Sequence, residues 1–259
     1  MAVPFRPPIP REHGAWIMLG ASLVLGLLGG GWPGWGLALC LALATFAGFS
    51  LQEVLRHPQK AGLAWLLGLG FLFLATTLIL LLRDRSLLLL APFALVPLGL
   101  TEILGRGRRT RPERSFLGEL LALPGLTLPC LAAWQLGAGA LAPRAWLAWS
   151  ALLLAFASGV LHVNLLLEGA KAKVRCPWAC VDKPLARADL LFHGALLALG
   201  TAVTFATGSP FWILASLPLS LRSLYGLRAA GHRRISFRTV GLVESALALW
   251  FVGIYGFLR

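Results

Sequence analysis

Of the 259 residues, 58% are hydrophobic and 13% charged, with a mean hydropathy of +0.79, whereas a soluble domain carries roughly a quarter charged residues. No soluble globule of this size hides so much apolar surface, so the composition excludes a soluble fold and implies helices that cross a bilayer. The net charge of +13, from 23 Lys and Arg against 10 Asp and Glu, fits either a nucleic-acid partner or loops beside anionic lipid, and the placement of the basic residues decides between them.

A bilayer core about 30 Å thick needs about 20 apolar residues per helix, because each adds about 1.5 Å and backbone groups must pair internally. The first ten residues hold four prolines, and Arg11-Glu12-His13 follows. The next apolar run is long and lacks a small-residue cleavage site, so it reads as a first helix, Gly14 to Gly30, rather than a signal peptide. Gly30-Gly31-Trp32-Pro33-Gly34 is a tight turn that makes the second segment, Pro33 to Val54, its antiparallel neighbour. The third and fourth segments are Ala61 to Leu82 and Ser86 to Leu104, the fourth carrying Pro92 and Pro97. The fifth, Phe116 to Leu136, carries Pro124 and Pro129, and the sixth is Ala145 to Leu167. After a loop from Glu168 to Ala188 comes the seventh, Asp189 to Thr207. A turn at Gly208-Ser209-Pro210 leads into the eighth, Pro210 to Leu227, which contains Pro218; the ninth is Thr239 to Leu258. Proline inside a membrane helix kinks it more often than it ends it. The expectation is an all-α, polytopic bundle of about nine spans, one transmembrane domain over residues 1–259, with no linker and no soluble module larger than the 168–188 loop.

Orientation follows from the short loops. One side receives Arg6 and Arg11, Arg56 and Lys60, five arginines between Arg106 and Arg114, five basic residues between Lys171 and Arg187, and four between Arg228 and Arg238, which makes eighteen. The other side receives Arg83, Arg85, Arg144 and Arg259, with Arg222 left inside the eighth segment. This places the amino terminus in the cytoplasm and the carboxyl terminus outside, in a multi-pass protein of the cell's inner (cytoplasmic) membrane. The basic pI needs no nucleic acid, since the arginines interrupt hydrophobic spans instead of lining one soluble face.

Cys40 and Cys130 lie within spans and read as small packing residues. Cys176-Pro-Trp-Ala-Cys180 lies in a cytoplasmic loop, but its spacing is not the two-residue gap of redox or zinc motifs, and no second pair completes four ligands.

The informative residues are polar groups in or at the mouths of helices, where charge is costly and marks function. Gln52, Glu53, Arg56 and Lys60 close the second segment, Glu102 the fourth, and Glu119 begins the fifth. His162, Asn164 and Glu168 close the sixth, Asp189 and His193 begin the seventh, and Arg222 and Tyr225 close the eighth. Glu244 sits deeper in the ninth and needs a partner, Arg222 being nearest by depth. Asn164 and Glu168 share a helical face at i, i+4, as do Gln52, Arg56 and Lys60, while Glu53 can pair with Arg56 at i, i+3. Two such polar walls predict a cavity between the second and sixth helices, open to cytoplasm and lipid, that takes an anionic head and a greasy tail. Gln52, Glu53, Arg56, Lys60, His162, Asn164 and Glu168 are its candidate binding residues. His162 and His193, near facing ends of consecutive helices, also raise axial haem ligation, for which no supporting motif exists.

Arg11-Glu12-His13-Gly14-Ala15-Trp16, Glu113-Arg114-Ser115 and the run Ser158-Gly159-Val160-Leu161-His162-Val163-Asn164 together resemble the YwiC-like family of bacterial membrane proteins. That resemblance implies a helical membrane fold and carries no settled activity. In architecture the chain is similar to the UbiA superfamily of intramembrane prenyltransferases, which place metal-binding acidic motifs after their second and sixth helices to hold magnesium and a prenyl diphosphate. On that spacing the first motif falls on Gln52, Glu53, Arg56 and Lys60 and the second on Asn164 and Glu168. Two acids of the first motif are cations here and one of the second is an amide, too few carboxylates to hold Mg²⁺ in the usual way. No resident cofactor or metal ligand set is therefore expected, and Arg56 and Lys60 would meet a phosphate directly. Three readings stay open: a UbiA-like bundle that binds or transforms an isoprenoid or other anionic lipid, a transporter, and a subunit or assembly factor of a respiratory membrane complex. Catalysis, if present, would be that of a degenerate intramembrane transferase. Membrane lipid is the expected partner, and oligomeric state is not legible.

Overall fold

A computed structural model of the chain describes residues 13–56, 58–105, 116–172, 184–229 and 236–258. Among the described residues there is no strand. The elements are α1 (His13–Gly30), α2 (Trp35–Arg56), α3 (Pro58–Arg83), a 3₁₀ turn (Arg85–Leu90) that runs into α4 (Ala91–Gly105), α5 (Phe116–Ala138), α6 (Pro143–Ala172), α7 (Pro184–Thr207), α8 (Phe211–Ala229) and α9 (Phe237–Leu258). Six of these helices are long and apolar enough to cross a membrane: α2, α3, α5, α6, α7 and α9. The apolar part of α1 is shorter, and α8, which carries Arg222 and Arg228, falls outside that set. On α3 the residues Leu63, Leu67, Phe71, Leu74, Leu78 and Leu82 are all more than half exposed, an outward stripe that suits lipid and not water.

The fourth segment departs from a plain α-helix at its start. Asp84 caps it by accepting from the Ser86 amide at 2.9 Å. Pro92 has no N–H to give the Leu88 carbonyl, and the amide of Ala91 takes that carbonyl instead, in the tighter i→i+3 pattern. Pro97, Pro124, Pro129 and Pro218 stay inside continuous helices. In α5 the Thr127 hydroxyl donates back to the Leu123 carbonyl at 2.8 Å and accepts the Trp149 indole N–H of α6 at 3.0 Å.

Two boundaries need correction. The stretch 168–188 was expected as a loop, yet α6 continues to Ala172 and α7 begins at Pro184, where a first-turn proline needs no hydrogen-bond partner. As a result Asp189, expected at the start of the seventh helix, lies in its second turn and is fully buried. His162 and Asn164, expected at the end of the sixth, lie ten and eight residues inside it.

Helices α1 and α5 approach one another backbone to backbone. A side chain on Gly26 or Gly30 would strike the backbone of Cys130 or Trp134, and one on Gly137 would strike the backbone at Gly30. Small residues four apart let two backbones meet, the usual device for helix pairing where lipid removes any hydrophobic drive. Toward α2, α1 makes side-chain contacts instead, Trp16 lying 5.4 Å from Phe46 and 5.0 Å from Phe49, ring centre to ring centre. The tight connections at 31–34, 139–142 and 208–210 carry all four described left-handed glycines, Gly31, Gly34, Gly139 and Gly208. α5 also packs on α6, and α6 to α9 pack against one another.

Candidate polar centre in helices α6 to α9

Within that second group of helices, spacing selects the polar faces. Ser158 and His162 are four apart on α6, Asp189 and His193 four apart on α7, and Ser216, Ser220 and Ser223 form an i, i+4, i+7 stripe on α8. All seven side chains are buried, as is Arg222. Glycine makes room for the larger ones. A methyl on Gly159 would sit 2.8 Å from Glu244 Oε2, and one on Gly226 would run into the His162 ring. Gly200 does the same for α7 against α8, where its absent Cβ leaves space beside the Trp212 carbonyl.

These helices bring together a connected chain of polar groups. The Arg222 guanidinium pairs with Glu244 of α9 through Nη1 and donates to the Ser158 hydroxyl through Nη2. Ser158 Oγ lies 2.8 Å from His193 Nε2, and His193 Nδ1 lies 2.8 Å from the Asp189 carbonyl oxygen and 3.2 Å from its carboxylate Oδ1. Ser223 donates to Asp189 Oδ2, and Ser220 donates to the His193 carbonyl at 3.3 Å. The links can run in one direction, with Arg222 donating to Ser158, Ser158 to His193 Nε2 and His193 Nδ1 to the Asp189 carbonyl, while Asp189 Oδ1, Arg222 Nε and Glu244 Oε1 are buried without a hydrogen-bond partner. Arg222 and Glu244 each lie seven residues from the basic-loop end of their helices and His193 nine, so the centre is about 10 to 14 Å from those ends. The expected pairing of Glu244 with Arg222 is therefore present.

The sequence-predicted wall residues are placed differently. Gln52 and Glu53 are half-buried on α2, while Arg56, Lys60 and Glu168 have side chains outside the described residues. Asn164 donates to Glu119 Oε2 of α5 at 2.7 Å and to the Val160 carbonyl at 2.9 Å. His162 turns instead toward Gly226 of α8. Two residues apart on a helix means roughly opposite faces, so His162 and Asn164 do not line one wall. α2 packs on α3 and α5, and α5 in turn packs on α6. Axial haem ligation does not suit His193, whose two ring nitrogens both face protein partners. Cys176, Cys180, Lys173 and the basic residues at 106–114 lie outside the described residues, as does the side chain of Glu102, whereas Cys130 is buried and Cys40 half-buried, as packing residues would be. Among the described residues no three His, Cys, Asp or Glu side chains group to hold a metal ion.

The motif Arg11 to Trp16 opens a stretch that matches a family model described as YwiC-like protein, over residues 9–134. Over these residues, a little under half of the chain, the sequence is similar to the YwiC-like family. No curated protein and no solved structure matches it. The YwiC-like stretch takes in α1 to α4 and most of α5, so the polar centre of α6 to α9, with the run Ser158 to Asn164, falls beyond it.

The sequence reading had named His162, Asp189, His193, Arg222 and Glu244 as polar groups but had not joined them. Ser158 and Gly159 entered only as part of a family motif, and the serine stripe of α8, Gly200 and Gly226 were passed over. The stripe and the two i, i+4 pairs were visible as spacings; which helices face one another was not.

Proposed function

We propose that this YwiC-like protein is a nine-span membrane protein with a cytoplasmic amino terminus, UbiA-like in arrangement, and that α6 to α9 form the path of a transported polar or ionic solute. One observation carries this reading: a chain from Glu244 through Arg222, Ser158 and His193 to Asp189, in which α8 supplies Arg222 and the other groups come from α6, α7 and α9, helices long and apolar enough to cross a membrane. Ionisable groups at that depth are expensive and collect on solute and proton pathways. Glu244, with about a quarter of its side chain exposed, is the opening into the chain. The eighteen-to-four bias of basic residues supports the orientation.

The test uses Ser158→Cys in a background lacking the four native cysteines, reconstituted in vesicles of either sidedness and treated with a small membrane-impermeant thiosulfonate. A transport path predicts modification from both sides, and modification from neither side sinks it. Single cysteines beside Arg108, Lys173 and Arg233 set the sidedness, labelling from the cytoplasmic face only, with those beside Arg83 and Arg144 labelling from outside.

A second reading keeps the isoprenoid or other anionic lipid at a cytoplasmic-side cavity, bound or transformed there without a firm need for Mg²⁺. The Asn164–Glu119 hydrogen bond between α5 and α6 favours it, because it puts a polar contact at the seam between those helices. Here access to Ser158 would be from the cytoplasm alone. Native mass spectrometry of gently extracted protein would find the lipid, and Arg56→Ala would lose it.

A further inference from the structure

We propose that Ser158 is a nucleophile with His193 as its general base, and that the centre of α6 to α9 hydrolyses a lipid-soluble ester. The argument begins with hydrogens. His193 Nδ1 lies 2.8 Å from the Asp189 carbonyl oxygen, which only accepts, so Nδ1 carries the ring hydrogen and Nε2 offers its lone pair to the Ser158 hydroxyl 2.8 Å away. A hydroxyl held against an imidazole that a third group orients is the arrangement that activates serine. Ser216, Ser220 and Ser223 are buried as well, but they donate to the Ile213 carbonyl, the His193 carbonyl and the Asp189 carboxylate rather than to a ring nitrogen.

Arg222 supplies the second element. Its Nη2 donates to the Ser158 oxygen, and Nε, on the same edge of the planar guanidinium, is buried with no hydrogen-bond partner among the described residues. When Ser158 Oγ bonds to an ester carbonyl carbon, the oxygen that gains the charge meets this donor, as in an oxyanion hole. Glu244 governs entry. Its Oε2 occupies the space beside Gly159, next to Ser158 in the chain, and about a quarter of its side chain is exposed on a helix that also exposes Leu242, Val243 and Leu249. An outward swing of Glu244 opens that space toward lipid, which makes the substrate a lipid-soluble ester. In the first half of the reaction the Ser158 proton passes to His193 Nε2, the Oγ–C bond forms, the C–O bond to the alcohol breaks, and the alcohol leaves with that proton. Water then attacks the acyl-serine, again giving a proton to His193, and the acid leaves as Ser158 recovers it. The same residues serve the transport reading, but the inference does not rest on it.

Wild-type protein in phosphatidylcholine vesicles, treated with a decyl fluorophosphonate and mapped by mass spectrometry, tests it. Fluoride is expected to leave as an Oγ–P bond forms at Ser158, and hydrolysis of 4-nitrophenyl decanoate by the protein is expected to fall in proportion to the label. His193→Gln, shown to be folded by dodecyl sulfate unfolding, should slow labelling at least about 100-fold. The inference is overturned if Ser158 takes no label, if Ser216, Ser220 or Ser223 takes it as fast, if labelled protein still hydrolyses the ester, or if folded His193→Gln reacts at the wild-type rate. Should His193→Gln not fold, the comparison among these serines in the wild type decides alone. Label at Ser158 while Ser158→Cys is closed to the aqueous reagent from both sides keeps the nucleophile and sinks the transport path; an open path with an unlabelled Ser158 gives the reverse.

Discussion

Gly26→Ala adds one methyl group where α1 meets the backbone of α5. That carbon would lie 2.7 Å from Ala133 Cβ and 2.9 Å from the Cys130 carbonyl carbon, and closer still to the carbonyl oxygen, where ordinary contact begins near 3.4 Å. The obstacles are backbone and a Cβ, which no side-chain rotation removes, so α1 and α5 must separate by roughly 1 Å over their shared face. Overpacking of this kind costs about 1 to 3 kcal/mol, and a gap of about 1 Å forfeits a quarter to a half of each dispersion contact along the seam, which puts the expected loss near 3 kcal/mol. Gly20→Ala is the internal control, since nothing lies within 4 Å of its absent Cβ on the same helix; it is expected to be neutral or to gain up to about 1 kcal/mol from better helix propensity. Unfolding by dodecyl sulfate in mixed micelles, followed by the fluorescence of the ten tryptophans, measures both. If Gly26→Ala is as stable as Gly20→Ala, the close approach of α1 and α5 is wrong.

Arg222→Leu strands Glu244 and is expected to cost about 3 kcal/mol, the lower end for a broken buried pair because Glu244 keeps some solvent; adding Glu244→Leu should restore stability to within about 1 kcal/mol, and a double variant no better than the single would mean the pair is not a coupled unit. At the opposite end of the bundle, hydrogen bonds from Ser86 and then Gln135 hold the Asp84 carboxyl below its ordinary value of 3.8. A lowered folded value contributes stability above the unfolded value that fades as pH falls through the folded one. Asp84→Asn should therefore cost about 1 kcal/mol at neutral pH, the usual worth of a helix cap, and the difference from wild type should close below about pH 4 in the same unfolding assay; a gap independent of pH would refute the role of the ionised carboxylate.

How much of this was legible in the sequence differs between the backbone and the site. Hydrophobic runs interrupted by arginines and by Gly-Pro turns determined that the chain is a multi-helix membrane protein, because a bilayer imposes one length on every span and requires each backbone group to pair within its own segment. The same rule marked Arg222 and Glu244 as needing partners, and their depth along the chain was enough to pair them. Helical spacing determined which residues share a face on α7 and α8. It also contained the reason His162 and Asn164 part company, since two residues of separation turn them to opposite sides. What only the tertiary structure decided was which faces meet. Helix neighbours in a bilayer are chosen by van der Waals fit, and that fit resides in residues that are chemically silent in a sequence: Gly26 and Gly30 against Cys130 and Trp134, Gly159 beneath Glu244, Gly226 beneath His162. Those absent side chains bring α1 onto α5 and gather α6 to α9 around Arg222, which is why polar groups from four separate segments form one centre.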